Sequence, residues 1–173
     1  MGTRFPQDVM DANAVTIRTL YHVKGDKFGM NRTDVLRQFP FPEDLGRFIT
    51  EALVWNRLAL KYKIRFVNEV FAHAEYQVGG LSDPTDPIRA LRLCIESHAM
   101  RLTNRELAEM PAEMVPLVER LKAYAKFVRH SLHGKVGPAQ QFAEARHKAL
   151  YLCPAPLGIF LYLNDRRKLR QAE

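Results

Sequence analysis

Apolar and polar positions change period several times along this chain, and each change predicts an element. Between Ala14 and Val23, the apolar residues Val15, Ile17, Leu20, Tyr21 and Val23 are interleaved with Thr16 and Arg18. That imperfect alternation predicts a strand, closed by the turn Lys24 to Lys27. Thr33 to Gln38 predicts a short helix capped by Asn31 or Thr33, and Phe39 to Pro42 is too proline-rich for regular structure. Thr50 to Lys63 predicts a helix with Leu53, Val54, Leu58, Ala59 and Tyr62 on one face, Thr50 as its cap and Glu51 in its first turn. Lys63 to Gln77 reads as strand through Ile64, Phe66, Val67, Val70, Phe71 and Tyr76, and Gly79 with Gly80 ends it.

After Asp83 and Pro84 the helical period takes over. Helices are predicted over Pro87 to Leu102, Ala112 to His133, Gln140 to Leu150 and Leu157 to Gln171, with stops at Gly134 and at Gly137-Pro138. The chain therefore reads as α/β (mixed α+β): two or three strands within residues 1–83, then a helical C-terminal extension over 84–173. Sheets usually have about five strands. The first part thus resembles the back half of an α/β domain more than a whole one.

Composition narrows the class without choosing a function. The 173 residues are 47% hydrophobic and 26% charged, which excludes collagen-like and wholly disordered chains. The net charge of +7 is unevenly placed: from Arg120 onward, 11 Lys and Arg face 3 Asp and Glu. Cys94 and Cys153 lie among apolar residues and outside any Cys-x-x-Cys pair, which predicts buried free thiols in a reducing compartment. The first residues lack the apolar run of a signal peptide, and the longest apolar stretch, Pro154 to Leu163, is short of the ~20 residues that span a bilayer. A cytoplasmic location is expected.

Four segments in order carry a resemblance. VKGDKFGMNRTDVLRQFPFPE (Val23 to Glu43), FITEALVWNRLALKYKIRFVNE (ending at Glu69), EYQVGGLS (Glu75 to Ser82) and PLGIFLYLNDRRKL (Pro156 to Leu169) together resemble bacterial family 2 glycosyltransferases. The resemblance implies the A-type glycosyltransferase fold, in which a nucleotide-binding α/β half precedes an acceptor-binding half. It implies a nucleotide-sugar donor, a glycan or other hydroxyl acceptor, and a divalent metal (Mg or Mn) held by an Asp-x-Asp motif. No Asp-x-Asp occurs in these 173 residues. The expectation is the acceptor-side portion of such an enzyme over 1–83, inactive alone, binding no metal by itself and leaving a strand edge that favours self-association. The alternative is a non-catalytic membrane- or protein-binding module derived from a truncated glycosyltransferase.

The same frame assigns the site residues. Glu51 matches the carboxylate that takes the proton from the acceptor hydroxyl, or else it only favours a helix N-terminus. Lys24, Asp26 and Arg32, with Lys27, bracket a turn that contacts the sugar or the phosphates, or forms a solvated rim. Trp55, the sole tryptophan, stacks on a sugar ring or packs into the core. Tyr76, with Gln77 and Ser82, borders the Gly79-Gly80 loop, and His73 is the histidine nearest this region.

The basic residues give a further expectation. Lys122, Lys126, Arg129 and His133 recur at helical spacing, and Arg166, Arg167, Lys168 and Arg170 follow an apolar run. Both groups predict contact with anionic lipid, at the inner face of the membrane. His130 and His133, one turn apart, read as a solvated basic face rather than a metal site. No nucleic-acid-binding signature is present.

Overall fold

The structure is a computed structural model that describes residues 2–25, 27–45, 49–73 and 86–172, the Glu96 side chain excepted. It is mixed α+β and mostly helical, with one two-stranded sheet among the described residues. Strands β1 (Val9–Ala12) and β2 (Ile64–Val67) pair antiparallel, with Val9 opposite Val67 and Asp11 opposite Arg65. Alternation puts Met10 and Ala12 inward, against Phe5, Ile17, Val23 and Phe66. It puts Asp11 outward, where its carboxylate accepts from Arg65 at 2.8 and 2.7 Å. Asn68 ends the ladder: its side chain accepts from Phe5 N–H and donates to the carbonyls of Phe5 and Gln7.

The strand expected over Ala14 to Val23 is instead a short helix, α1 (Thr16–Thr19). Asn13 explains the change. Its side-chain oxygen accepts from Val15 N–H at 2.8 Å, and its carbonyl accepts from the Thr16 hydroxyl at 2.9 Å. Thr19 donates back to the Val15 carbonyl. These local bonds offer the β-branched residues a helical turn that outcompetes their strand preference. Helix α2 (Thr33–Leu36) follows, with Arg32 at its N-cap in place of Asn31 or Thr33. Helix α3 (Ala52–Ala59) is shorter at both ends than the predicted Thr50 to Lys63. Beyond β2 no regular structure is described up to residue 73, so the strand expected to reach Gln77 stops at Val67 over the described part.

The predicted helix over Pro87 to Leu102 is two helices, α4 (Pro87–Glu96) and α5 (His98–Glu109). Ser97 divides them: its backbone is extended and its hydroxyl accepts from Met100 N–H, an N-cap in mid-pattern. Asp86 caps α4 through Arg89 N–H, with Pro87 at the first helical position. Helix α6 (Leu117–His133) starts five residues later than expected: Pro116, with extended backbone, stands at its N-cap, and a proline disfavours helical backbone in the residue before it.

Helices α7 (Pro138–Glu144) and α8 (Lys148–Leu152) replace the single one predicted over Gln140 to Leu150. The break falls where two backbone donors find tertiary partners: Arg146 N–H donates to Glu109 and His147 N–H to the Tyr124 hydroxyl. Helix α9 (Ala155–Gln171) closes the chain.

Helix α6 forms the centre of the packing. Tyr124 and Phe127 meet Tyr151 of α8 in mutual edge-to-face pairs, with Ala108 of α5 and Ala145 completing the cluster. Arg101 of α5 lies over the Phe127 ring at 5.2 Å, donates to Ser131, and pairs with Glu144 of α7. A second cluster joins the two expected halves: Val15 and Ala59 pack against Met110 and Val115. The Thr19 hydroxyl donates to the Met114 carbonyl at 2.6 Å across the same seam.

On the other side of α6, Gly158 lets α9 approach closely. A methyl at 158 would stand 2.6 Å from the Ala125 carbonyl oxygen and 2.6 Å from Val128 Cβ. Asp165 of α9 is 3% exposed and accepts from Arg129 of α6 at 2.5 and 2.8 Å and contacts His133 Nε2 at 3.0 Å. The predicted solvated face of α6 is therefore half internal: Lys122 and Lys126 face solvent, whereas Arg129 and His133 turn inward to Asp165. His130 is buried as well, contrary to the expected exposed pair.

Candidate functional site

Helix α3 positions the residues singled out for chemistry. Its inner face carries Leu53, Val54, Leu58 and Ala59, all buried. Asn56 is buried too and accepts from Arg18 at 2.7 Å. Glu51, just ahead of the helix, is exposed, and Trp55, one turn on, is half-buried. Glu51 stands at the N-cap position, ahead of Ala52, and makes no capping hydrogen bond. Its carboxylate instead accepts from the Trp55 indole N–H at 3.3 Å.

The proline-rich segment completes this surface. Phe41 sits edge-on to Trp55 with ring centroids 6.3 Å apart, and Phe39 sits edge-on to Tyr62 at the same separation. The two rings of Phe39 to Pro42 thus dock on Trp55 of α3 and on Tyr62 just beyond its C-terminus. The result is a half-buried indole held edge-on by a phenyl ring, with an exposed carboxylate at its rim. Such a surface offers an apolar plane for the C–H face of a sugar and an acceptor for its hydroxyl. Neither reading of Trp55 is complete alone: it packs against Phe41 and also meets solvent.

The other predicted residues are placed elsewhere. Arg32 is spent on Asp34, a bidentate exposed pair at 3.2 and 2.7 Å. Lys24 is fixed through its backbone, which exchanges hydrogen bonds with Thr3 next to the positive-φ Gly25. Neither makes a hydrogen bond to Glu51 or Trp55. Asp26 and Tyr76, with Gln77 and Ser82, lie outside the described residues. His73 is exposed. Among the described residues no three His, Cys, Asp or Glu side chains gather into a metal-holding group. Cys94 is half-buried, which raises its thiol pKa, while Cys153 is exposed rather than buried as expected.

A separate concavity lies on a different side of α3. It is an open cleft of about 670 Å³ among Arg57, Glu106, Glu109, Arg120, Arg146 and Met110. Arg57 and Leu60 point into it, and at 100° per residue they lie nearly opposite Glu51 and Trp55. Its polar groups are largely engaged: Arg57 forks onto Glu106 at 2.8 to 3.3 Å, and Arg120 donates to the Ala108 carbonyl. No sequence signal marked these residues, because the pairs that build the cleft, such as Arg57 with Glu106, are 49 positions apart.

Comparisons with protein-family models, with curated proteins and with solved structures return no match.

Proposed function

We propose that the chain is the acceptor-side portion of a nucleotide-sugar-dependent glycosyltransferase of family 2, with Glu51 as its general base. The observation that carries this reading is the Glu51–Trp55 pair at the start of α3, backed by Phe41 and open to solvent. A carboxylate beside an aromatic plane suits an acceptor sugar whose hydroxyl must lose its proton. In the reaction, Glu51 takes that proton as the acceptor oxygen bonds to the anomeric carbon of the donor sugar. The bond from that carbon to the nucleotide diphosphate breaks, and the diphosphate leaves with the electron pair. The donor site is supplied by another stretch of polypeptide, consistent with the absence of Asp-x-Asp from the sequence.

The sole tryptophan provides the test. Oligosaccharides of varied linkage are titrated against the chain while indole emission is followed. Saturable change with one glycan class, reduced in Trp55→Phe by an independent binding measurement, supports the reading. No response and no binding from any glycan, with the far-UV circular dichroism of a folded chain, overturns it. The second reading, a non-catalytic membrane-binding module, is favoured by the outer face of α9.

A further inference from the structure

We infer that the outer face of α9 is a docking surface for an anionic phospholipid membrane. The inward side of this helix is set by Pro154, Gly158 and Asp165, all buried. Opposite them runs a solvent-facing stripe of Pro156, Phe160, Leu163, Arg167 and Arg170, spaced by four, three, four and three residues. Its first half is apolar: Phe160 is 63% exposed and Leu163 55%, with Ile159 of the same helix exposed as well. Its second half is cationic, and the only acid in α9, Asp165, is turned to the interior.

The cations are free to meet a surface. Among the described residues no ion pair engages Arg167 or Arg170, and Arg166 contacts the neighbouring Tyr162. Together with Leu163 and Gln171 they line a shallow depression of about 250 Å³. Apolar groups at one end and a cationic hollow at the other match the boundary of an anionic bilayer, with acyl chains meeting Phe160 and Leu163 and phosphates meeting the arginines. A second copy of the chain carries the same net charge of +7, and that repulsion disfavours it as the occupant of this face. No described helix is long and apolar enough to cross a membrane, so the helix would lie in the interfacial plane. This inference does not rest on the glycosyltransferase reading.

The test is co-sedimentation of the full chain with phosphatidylcholine vesicles, with and without phosphatidylglycerol. Binding is expected only to the anionic vesicles and should fall steeply as salt is added. Arg167→Gln with Arg170→Gln should weaken binding about thirtyfold, at ~1 kcal/mol for each charge near the surface. Phe160→Ala with Leu163→Ala should weaken it too; both residues are exposed, so the circular dichroism should be unchanged. Equal binding to neutral and anionic vesicles, or none to either, overturns the inference. So does concentration-dependent dimerisation abolished by Phe160→Ala without vesicle binding, which would assign the face to a second copy.

Discussion

Gly158 on α9 lies against Ala125 on α6 with no room for a side chain: an added Cβ would stand 2.6 Å from the Ala125 carbonyl oxygen. In an exposed helix interior, Gly→Ala normally stabilises by about 1 kcal/mol. Here the sign should reverse. Gly158→Ala must push α9 away from α6, and overpacking of this kind costs about 1–3 kcal/mol. Urea unfolding of the two proteins reads the sign directly, and a more stable variant would show that the helices part easily.

The same helix pair holds the Arg129–Asp165 ion pair. Removing one partner of a buried pair leaves the other charge uncompensated, at about 3–5 kcal/mol. Asp165→Ala should therefore lower the urea midpoint severely. Arg129→Met combined with Asp165→Leu should recover much of the loss, since no lone charge remains. Equal damage from the single and double variants would assign the stability to shape rather than charge.

His130 makes the fold acid-sensitive. Burial, with Arg129 and His133 beside it, lowers its pKa to about 4 from the usual 6.5, and its Nδ1 has no hydrogen-bond partner. Between those values the unfolded chain binds a proton that the folded chain refuses. Its contribution is thus intact above about pH 6.5 and is lost as pH falls towards 4, by about 3 kcal/mol in all. His130→Leu should flatten this part of the profile of unfolding free energy against pH. An unchanged slope would locate the acid sensitivity elsewhere.

Glu51→Gln separates base chemistry from folding. Gln keeps the size and the contact to Trp55 but cannot take the proton. In an enzyme reconstituted with a donor-binding half, the transfer rate should fall about 10²–10⁴-fold. Stability should change by less than ~1 kcal/mol, because the carboxylate is exposed and makes no cap. Transfer at near the original rate would return Glu51 to a helix-start residue and make Asp44 or Asp26 the next base to test.

Self-association should arise at the N-terminal part. Strands β1 and β2 pair only with each other among the described residues, and Val70 and Phe71 just beyond β2 are 78% and 59% exposed. Sedimentation velocity is expected to show a concentration-dependent dimer or larger species, which Val70→Lys with Phe71→Glu should suppress. A monomer at all concentrations would contradict this.

The sequence pattern located helices well where one face is continuous, as in α6 and α9, whose predicted ends at His133 and Gln171 match the structure. It failed where a single polar group decides the backbone. Asn13 bends Val15 and Ile17 into a helix, Ser97 splits α4 from α5, and Glu109 with Tyr124 divides α7 from α8. The first two have local signatures, an Asn or Ser ahead of helical residues, and were hidden by the stronger apolar pattern. The third depends on partners more than 20 positions away. Glu51 and Trp55 were singled out separately, and their contact appears only in the structure; the inward turn of Arg129 and His133 was not legible, since Asp165 comes from another helix.

The seam that joins Val15 to Met110 and Val115 also sets an order of assembly. Helices α5 and α6 are neighbours in sequence and can pack early, whereas β1 must find β2 across some 54 positions and Thr19 must find Met114 across 95. On the ribosome, Val15 and Ile17 emerge long before the residues that cover Val15 have been made. During that interval the apolar side chains of the N-terminal segment have nothing to pack on, which is the state in which chains of this size are most prone to associate wrongly.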